Sequence, residues 1–342
     1  MVGQAFWRGT TLSRASTGIL AAVIASLMIG IMFAPVGSSA PPAPARGPPE
    51  AVIGAAGDIC GTHLPGNNDQ RHQYDNVADL LVSMDLDKFL MLGDAQHEDG
   101  FLSDYYEYYD VEFGQLLNIT APVPGNHDYY WDGWAPNNPH SQSNGSGYFG
   151  YFGDIAYPPY GYYSFSIGSW HFVALNSPLL FDYNYTEPGN PAYDQFEWLK
   201  ADLAAHSAAQ YPGTIVFFHQ PLYDWETPNS PQWASPELIP LWDLLYRSGV
   251  DMVLNGHAHN YQRWAPQDAY GNYKADGVRE FVVGTGGYYM NNLGHNPKPA
   301  NFVWGQDQDF GALKLTLYRG SYDFQFVSID GKVLDSGSAL CN

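Results

Sequence analysis

The sequence predicts an α/β fold whose working groups lie at the carboxyl ends of strands, and three observations carry the prediction. Short apolar runs alternate with helical periodicity from Ala51 to Gly249. Five of the runs end in a polar cluster: Asp58, Asp94, Asn126-His127, His219, and His257 with His259. Beyond Arg279 the runs succeed one another as strands, the last turn being carried by Asp330-Gly331.

Residues 1–40 stand apart from that rhythm. Arg8 and Arg14 precede an apolar run from Gly18 to Pro35, the pattern of a signal peptide or an N-terminal membrane anchor. Ser38-Ser39-Ala40 offers small residues for cleavage, whereas Pro41 at the first mature position obstructs it. In both cases the basic flank predicts an exported body, secreted or anchored on the outer face of the membrane through residues 18–35. Residues 41–50 carry five prolines and read as a stiff linker to a domain spanning residues 51–342.

Within that domain, Ala51–Ala56 is a strand ending in Gly57-Asp58, and Asp75 begins a helix with Val77, Leu80, Leu81 and Met84 on one face. Lys88–Leu92 ends in Gly93-Asp94, a Tyr-rich helical stretch follows towards Leu117, and Ala121–Pro124 leads into Gly125-Asn126-His127-Asp128. Tyr129–Tyr160 has no periodicity and reads as a long surface excursion, a candidate lid facing the substrate. Tyr162–Ile167 and Trp170–Leu175 form a hairpin across Gly168-Ser169. Asn190-Pro191 and Ser235-Pro236 each start a helix by cap and first-turn proline, and between them Thr214–Phe218 is a strand ending in His219. Gly249 stops the second helix before Val250–Leu254, the strand that delivers His257 and His259. Arg279–Val283 ends in Gly284-Thr285-Gly286-Gly287, a backbone turn rather than a phosphate cradle because no helical pattern follows. Leu313–Tyr318, Tyr322–Ile329 and Lys332–Asp335 complete the chain.

Without residues 1–50 the chain keeps 34 acidic against 11 basic residues, a net charge of −23. That balance disfavours nucleic acid as a partner. It also means that an anionic substrate needs a strong local positive centre. Strand ends in an open α/β sheet share one rim, so the five clusters can meet there. Two carboxylates, an amide oxygen and three imidazoles suit a pair of divalent or trivalent first-row metals better than calcium, which prefers oxygen throughout.

Taken in order, Gly57-Asp58, Gly93-Asp94, Gly125-Asn126-His127-Asp128, Val216-Phe217-Phe218-His219 and Gly256-His257-Ala258-His259 resemble the motifs of the calcineurin-like metallophosphoesterases. Tyr261, Arg263 and the turn at Gly284–Gly287 are similar to the purple-acid-phosphatase-like branch. The resemblance implies a β-sandwich flanked by helices with the metal site at the carboxyl ends of strands. It implies that Asp94 bridges two metals, that Asp58 and His259 hold the first, and that Asn126, His219 and His257 hold the second. His127 would contact the phosphoryl oxygens or the leaving group. Two such metals, with Fe, Zn or Mn expected, activate a water for in-line attack on phosphorus. The implied protein is an exported hydrolase of small-molecule phosphate esters, foremost an acid-phosphatase-like monoesterase. A phosphodiesterase or phytase-like specialist is the alternative, and a non-catalytic exported binding module the remote one.

Three positions depart from the branch. His97 stands three residues after Asp94, where purple enzymes carry a tyrosine that binds ferric iron, and is expected to be a ligand of the first metal. The plant enzymes' histidines about ten positions after the His219 equivalent have no counterpart, Pro228 and Asn229 standing there, so His127 is the histidine acid, with Tyr223 and Asp224 behind it. Cys60 and Cys341, in an exported chain, are expected to form a disulfide. His63, His72, His140, His171, His206 and His295 lie outside the motifs, His171 as a satisfied core group.

Overall fold

Apolar runs without alternation become strands covered on both faces, and alternating runs become strands with one wetter face. The computed structural model describes residues 47–61, 72–97, 100–129, 145–182, 185–226, 235–294 and 297–342. β1 (Ala51–Ala56), β2 (Lys88–Leu92) and β3 (Thr120–Val123) pair in parallel and are almost wholly buried. β4 (Tyr163–Ile167) and β5 (Trp170–Ala174) form the expected hairpin. β6 (Gly213–Phe217), β7 (Met252–Asn255), β8 (Tyr261–Trp264), β9 (Arg279–Val283) and β10 (Phe302–Gln306) follow. β11 (Gly311–Tyr318), β12 (Ser321–Ser328) and β13 (Val333–Leu340) are antiparallel, and β11 alternates buried with half-buried positions along most of its length.

The strands make two sheets, ordered β13-β12-β11-β1-β2-β3 and β10-β8-β9-β7-β6-β5-β4. Side chains from both, among them Ile53, Leu90, Leu315, Phe172, Phe217 and Leu254, meet in one buried core. Their neighbours along the strands point the other way, as the two-residue repeat requires. Met91 and Phe89 pack with the helix Tyr74–Ser83 through Val77 and Leu81. Val173, Val216 and Val253 pack with the helices Pro191–Ala205 and Ile239–Arg247 through Leu199, Leu241 and Leu245. The result is the expected β-sandwich flanked by helices. β1, β2 and β3 run parallel, as do β5, β6, β7 and β9, so the clusters that follow them emerge at carboxyl ends.

The start signals work in two ways. Asn190 caps its helix, its Oδ1 accepting from Ala192 N at 2.9 Å, with Pro191 in the first turn. Ser235 makes no side-chain cap, and Pro236–Leu238 is a 3₁₀ turn leading into Ile239–Arg247.

Several expectations need correction. The excursion Tyr129–Tyr160 contains the helix Ser146–Phe152, with Tyr148, Tyr151 and Phe152 buried against Tyr105 and Tyr109. Its sequence, rich in glycine and aromatics, has little helical propensity, and tertiary packing holds it. Residues 130–144 of the candidate lid lie outside the described residues, as do the Gly18–Pro35 run and most of the proline-rich segment. β8 and β10 lie outside the expected strands, being four and five residues long without a bounded apolar run. Cys60 and Cys341 are both free thiols. Cys60 lies past the carboxyl end of β1, whereas Cys341 follows β13 beside Asp251, which precedes the amino end of β7. Strands of this length hold the two rims far beyond disulfide reach. Among the described residues, no helix is long and apolar enough to cross a membrane.

Candidate metal centre

Each cluster follows its strand directly, and three of the five sit in sharp turns. Asp58, Asp94 and His257 have positive φ angles of 60°, 50° and 69°, a region that non-glycine residues seldom occupy and that points to a surrounding structure able to hold the strain. Glycines give these turns room. A Cβ on Gly125 would stand 2.1 Å from Asp94 Oδ1, and one on Gly93, itself at φ 88°, would stand 2.5 Å from His219 Nδ1.

The acidic and imidazole groups expected at the site converge. Asp58, His97 and His259 form one group, Asp94, His219 and His257 another, and Asp94, His97 and His127 a third. Asp58 Oδ1 lies 3.2 Å from His259 Nε2 and 3.5 Å from His97 Nε2. Asp94 Oδ2 lies 2.9 Å from His219 Nε2 and 3.6 Å from His97 Nε2. The second oxygen of each carboxylate is used for the scaffold: Asp58 Oδ2 accepts from His257 N at 2.7 Å, and Asp94 Oδ1 from His127 N at 2.9 Å. Asn126 opens the short helix Asn126–Tyr129, and its Oδ1 accepts from Gln220 Nε2 at 3.3 Å.

His219 shows what the centre can hold. Its Nδ1 is 2.9 Å from the carbonyl oxygen of Leu92, which can only accept, so Nδ1 carries a proton and Nε2, 2.9 Å from Asp94 Oδ2, is the nitrogen left to bind a second proton or a metal. Buried Asp58 Oδ1, His97 Nε2 and His219 Nε2 have no hydrogen-bond partner. Acceptors turned towards each other in a buried space call for a cation between them, and this donor set of carboxylates and imidazoles fits first-row metals. Burial raises the carboxyl pKa values, yet both stay below the ordinary range because His259 and His97 surround Asp58, and His219 and His127 surround Asp94. His97 is pushed down to about 4 by burial. At His219 burial acts downward too, but Asp94 outweighs it and the pKa rises to about 9, so without a metal a proton on Nε2 takes the place a metal would fill.

Several residues were missed by motif reasoning. Asp128, quoted only as the end of its motif, is a buried clasp that accepts from Gly125 N at 2.8 Å, from the Tyr105 hydroxyl and from Ala95 N at 3.4 Å, tying the β2 and β3 turns together. Tyr288 stacks on His97, and Tyr289 meets His259 edge to face at 4.3 Å. Both follow the glycine turn after β9, where no sequence pattern marks them. Tyr223, by contrast, does not serve the centre: its hydroxyl donates to the carbonyl of Asp268. Asp224 is buried and accepts from Gln262. Tyr261 and Arg263 also turn away from the centre to Asp335 on β13, Arg263 gripping both carboxylate oxygens at 2.7 and 2.9 Å. His171 is a satisfied core group, paired with Asp202 at 2.7 Å beside His206, on the helix side of β5. His63, His140 and His295 lie outside the described residues.

Two sheets packed face to face, with carboxylate and imidazole groups meeting at strand ends, define a metallophosphoesterase fold. Residues 51–261 match the calcineurin-like phosphoesterase family, and the chain belongs to that family. It is 31% identical over 224 residues to purple acid phosphatase 21 of Arabidopsis thaliana, covering 62% of this chain and 46% of that one. With acid phosphatase type 7 of Danio rerio it shares 27% over 279 residues, covering 70% and 59%. The chain thus spans less than two thirds of the length of these relatives. The structure of purple acid phosphatase PPD1 from yellow lupin (Lupinus luteus) seeds superposes with a TM-score of 0.65 over 86% of this chain and 55% of that one, a likeness in fold at 20% identity.

Proposed function

We propose that the protein is a metal-dependent hydrolase of phosphate esters, foremost an acid-phosphatase-like monoesterase, with two cations at the rim. The observation that carries this reading is the buried facing of His219 Nε2 and Asp94 Oδ2 at 2.9 Å while Nδ1 is committed to Leu92. Asp58, His97 and His259 would hold one cation and Asn126, His219 and His257 the other, with Asp94 a ligand common to both sets. When bound, such a pair supplies an activated water and neutralises charge on the phosphoryl oxygens. Fe, Zn and Mn all suit the donor set. The chain's own residues orient the ester. His127, half-buried with its N–H pinned to Asp94, offers an imidazole that steadies the phosphoryl oxygens and gives its proton to the leaving oxygen.

The test is Asp94→Asn assayed on aryl phosphate mono- and diesters, with circular dichroism to establish an intact fold and elemental analysis to count metals. Loss of turnover with loss of metal is expected, and unchanged turnover refutes the site. Export through residues 18–35 belongs to the same proposal, resting on the basic flank and apolar run. Recovery of the protein solely from the cytoplasmic fraction of its host would overturn it.

A further inference from the structure

A concavity that the metal chemistry does not use begins at Tyr129, on the same helical turn as Asn126 and His127. It is a cavity of about 400 Å³ lined by Tyr129, Phe149, Pro159, Tyr160, Tyr162 and Asp194, among others. We infer that this cavity is the subsite for a planar aromatic group on the phosphate ester, an aryl or nucleobase ring, and that it selects such esters over small alkyl ones. The inference rests on the phosphatase reading and specifies its substrate.

Position is the first argument. Tyr129 closes the single turn Asn126–Tyr129 that begins with Asn126 and His127, so the cavity wall starts about 3 Å of helix rise from the proposed leaving-group contact. Hydrogen bonds fix the wall to the centre. Asn176 Nδ2 donates to the Tyr129 hydroxyl at 2.7 Å and to the Tyr160 carbonyl at 2.8 Å, joining two walls. The next residue, Ser177, accepts from His219 N at 3.2 Å and donates to Gln220, whose amide reaches Asn126. These hydrogen bonds hold the cavity wall on the same elements that carry the proposed metal ligands.

Chemistry is the second argument. The rings line the space without filling it: Tyr129 and Phe149 meet edge to face with centroids 6.3 Å apart, and Tyr160 stays 59% exposed. Tyrosine and phenylalanine faces favour a flat π-system, which stacks whatever its substituents. Of the described lining residues only Asp194 is charged, and one of its oxygens already accepts from Gly189 N at 3.3 Å. The other can accept from a ring amine or hydroxyl, and the carboxylate repels additional phosphates. A heavily phosphorylated ring such as a phytate fits this cavity poorly, which places the phytase-like alternative behind the monoesterase.

The test is steady-state hydrolysis of phenyl phosphate, adenosine monophosphate and glycerol phosphate by the metal-loaded full chain and its Tyr160→Ala, Tyr160→Phe and Tyr270→Ala variants. Tyr160→Ala should raise KM for the two ring esters about tenfold, with little change in kcat. Its preference for ring esters over glycerol phosphate should fall in proportion, and Tyr160→Phe should restore it. Tyr270, equally exposed but outside the cavity lining, supplies the control. Whichever ring ester loses more in Tyr160→Ala is the better occupant, and either supports the subsite. A wild type without ring preference, or a preference unchanged in Tyr160→Ala, overturns it. If no ester is hydrolysed although metal is bound, the phosphatase reading fails by itself. Calorimetric binding of adenosine monophosphate then decides the subsite: binding weakened in Tyr160→Ala upholds it, and equal or absent binding overturns it.

Discussion

The rings of His97 and Tyr288 lie face to face, with centroids 3.9 Å apart and planes 9° from parallel. Tyr288 is held in turn by its backbone N–H on Asp58 O at 3.1 Å. The imidazole of His97 is thus set in its plane by a tyrosine. His97→Ala should remove the cation held with Asp58 and His259, read as a drop towards one metal per chain by elemental analysis. Tyr288→Leu should weaken the same site by about 10- to 100-fold while Tyr288→Phe holds it, because the ring and not the hydroxyl does the positioning. Full metal content in His97→Ala would sink the ligand assignment.

Of the described glycines around the centre, Gly125 leaves the least room beside a carboxylate. Since a Cβ there would meet Asp94 Oδ1 at 2.1 Å, Gly125→Ala must displace either the turn or the carboxylate. Urea denaturation should show a loss of about 1–3 kcal/mol, together with reduced metal content. A variant equal to wild type in both would show that the turn yields at no cost.

Asp251 supplies a dependence on pH far from the centre. Burial pushes its carboxyl up from 3.8 to about 6, although Thr214 N and Asn342 N donate to it. A raised folded pKa means that the native state keeps a proton the unfolded chain has released. The contribution to stability is complete below pH 3.8 and is lost as pH rises through about 6. The difference in unfolding free energy between wild type and Asp251→Asn should therefore shift by on the order of 2 kcal/mol between pH 4 and pH 7. A flat difference across that range would contradict the assignment.

Both cysteines should react with a thiol reagent once the protein is denatured without reductant. Two thiols per chain are expected, because Cys60 and Cys341 sit at opposite ends of the strands. Zero thiols, with reactivity regained after reduction, would restore the bridge.

The strands that carry the candidate ligands were legible for a physical reason. β1, β2, β6 and β7 are covered by a sheet on one face and helices on the other, so each is a short unbroken apolar run, and the polar residue after it stands out. β8 and β10 lack that signature. The helix Ser146–Phe152 forms because Tyr148, Tyr151 and Phe152 find Tyr105 and Tyr109, partners some forty residues away, which no local pattern announces.

By itself the sequence determined the α/β class, the order of the strand-end clusters and the residue types able to hold metals, because these follow from local periodicity and from chemistry written residue by residue. Only the tertiary structure decided which of those atoms face one another. It brought His97 under Tyr288, set the His219 tautomer through Leu92, turned Tyr223, Tyr261 and Arg263 away from the centre, separated the two cysteines, and opened an aromatic cavity beside Tyr129. Each of these depends on contacts between segments distant in the chain, and such contacts exist only once the two sheets have packed.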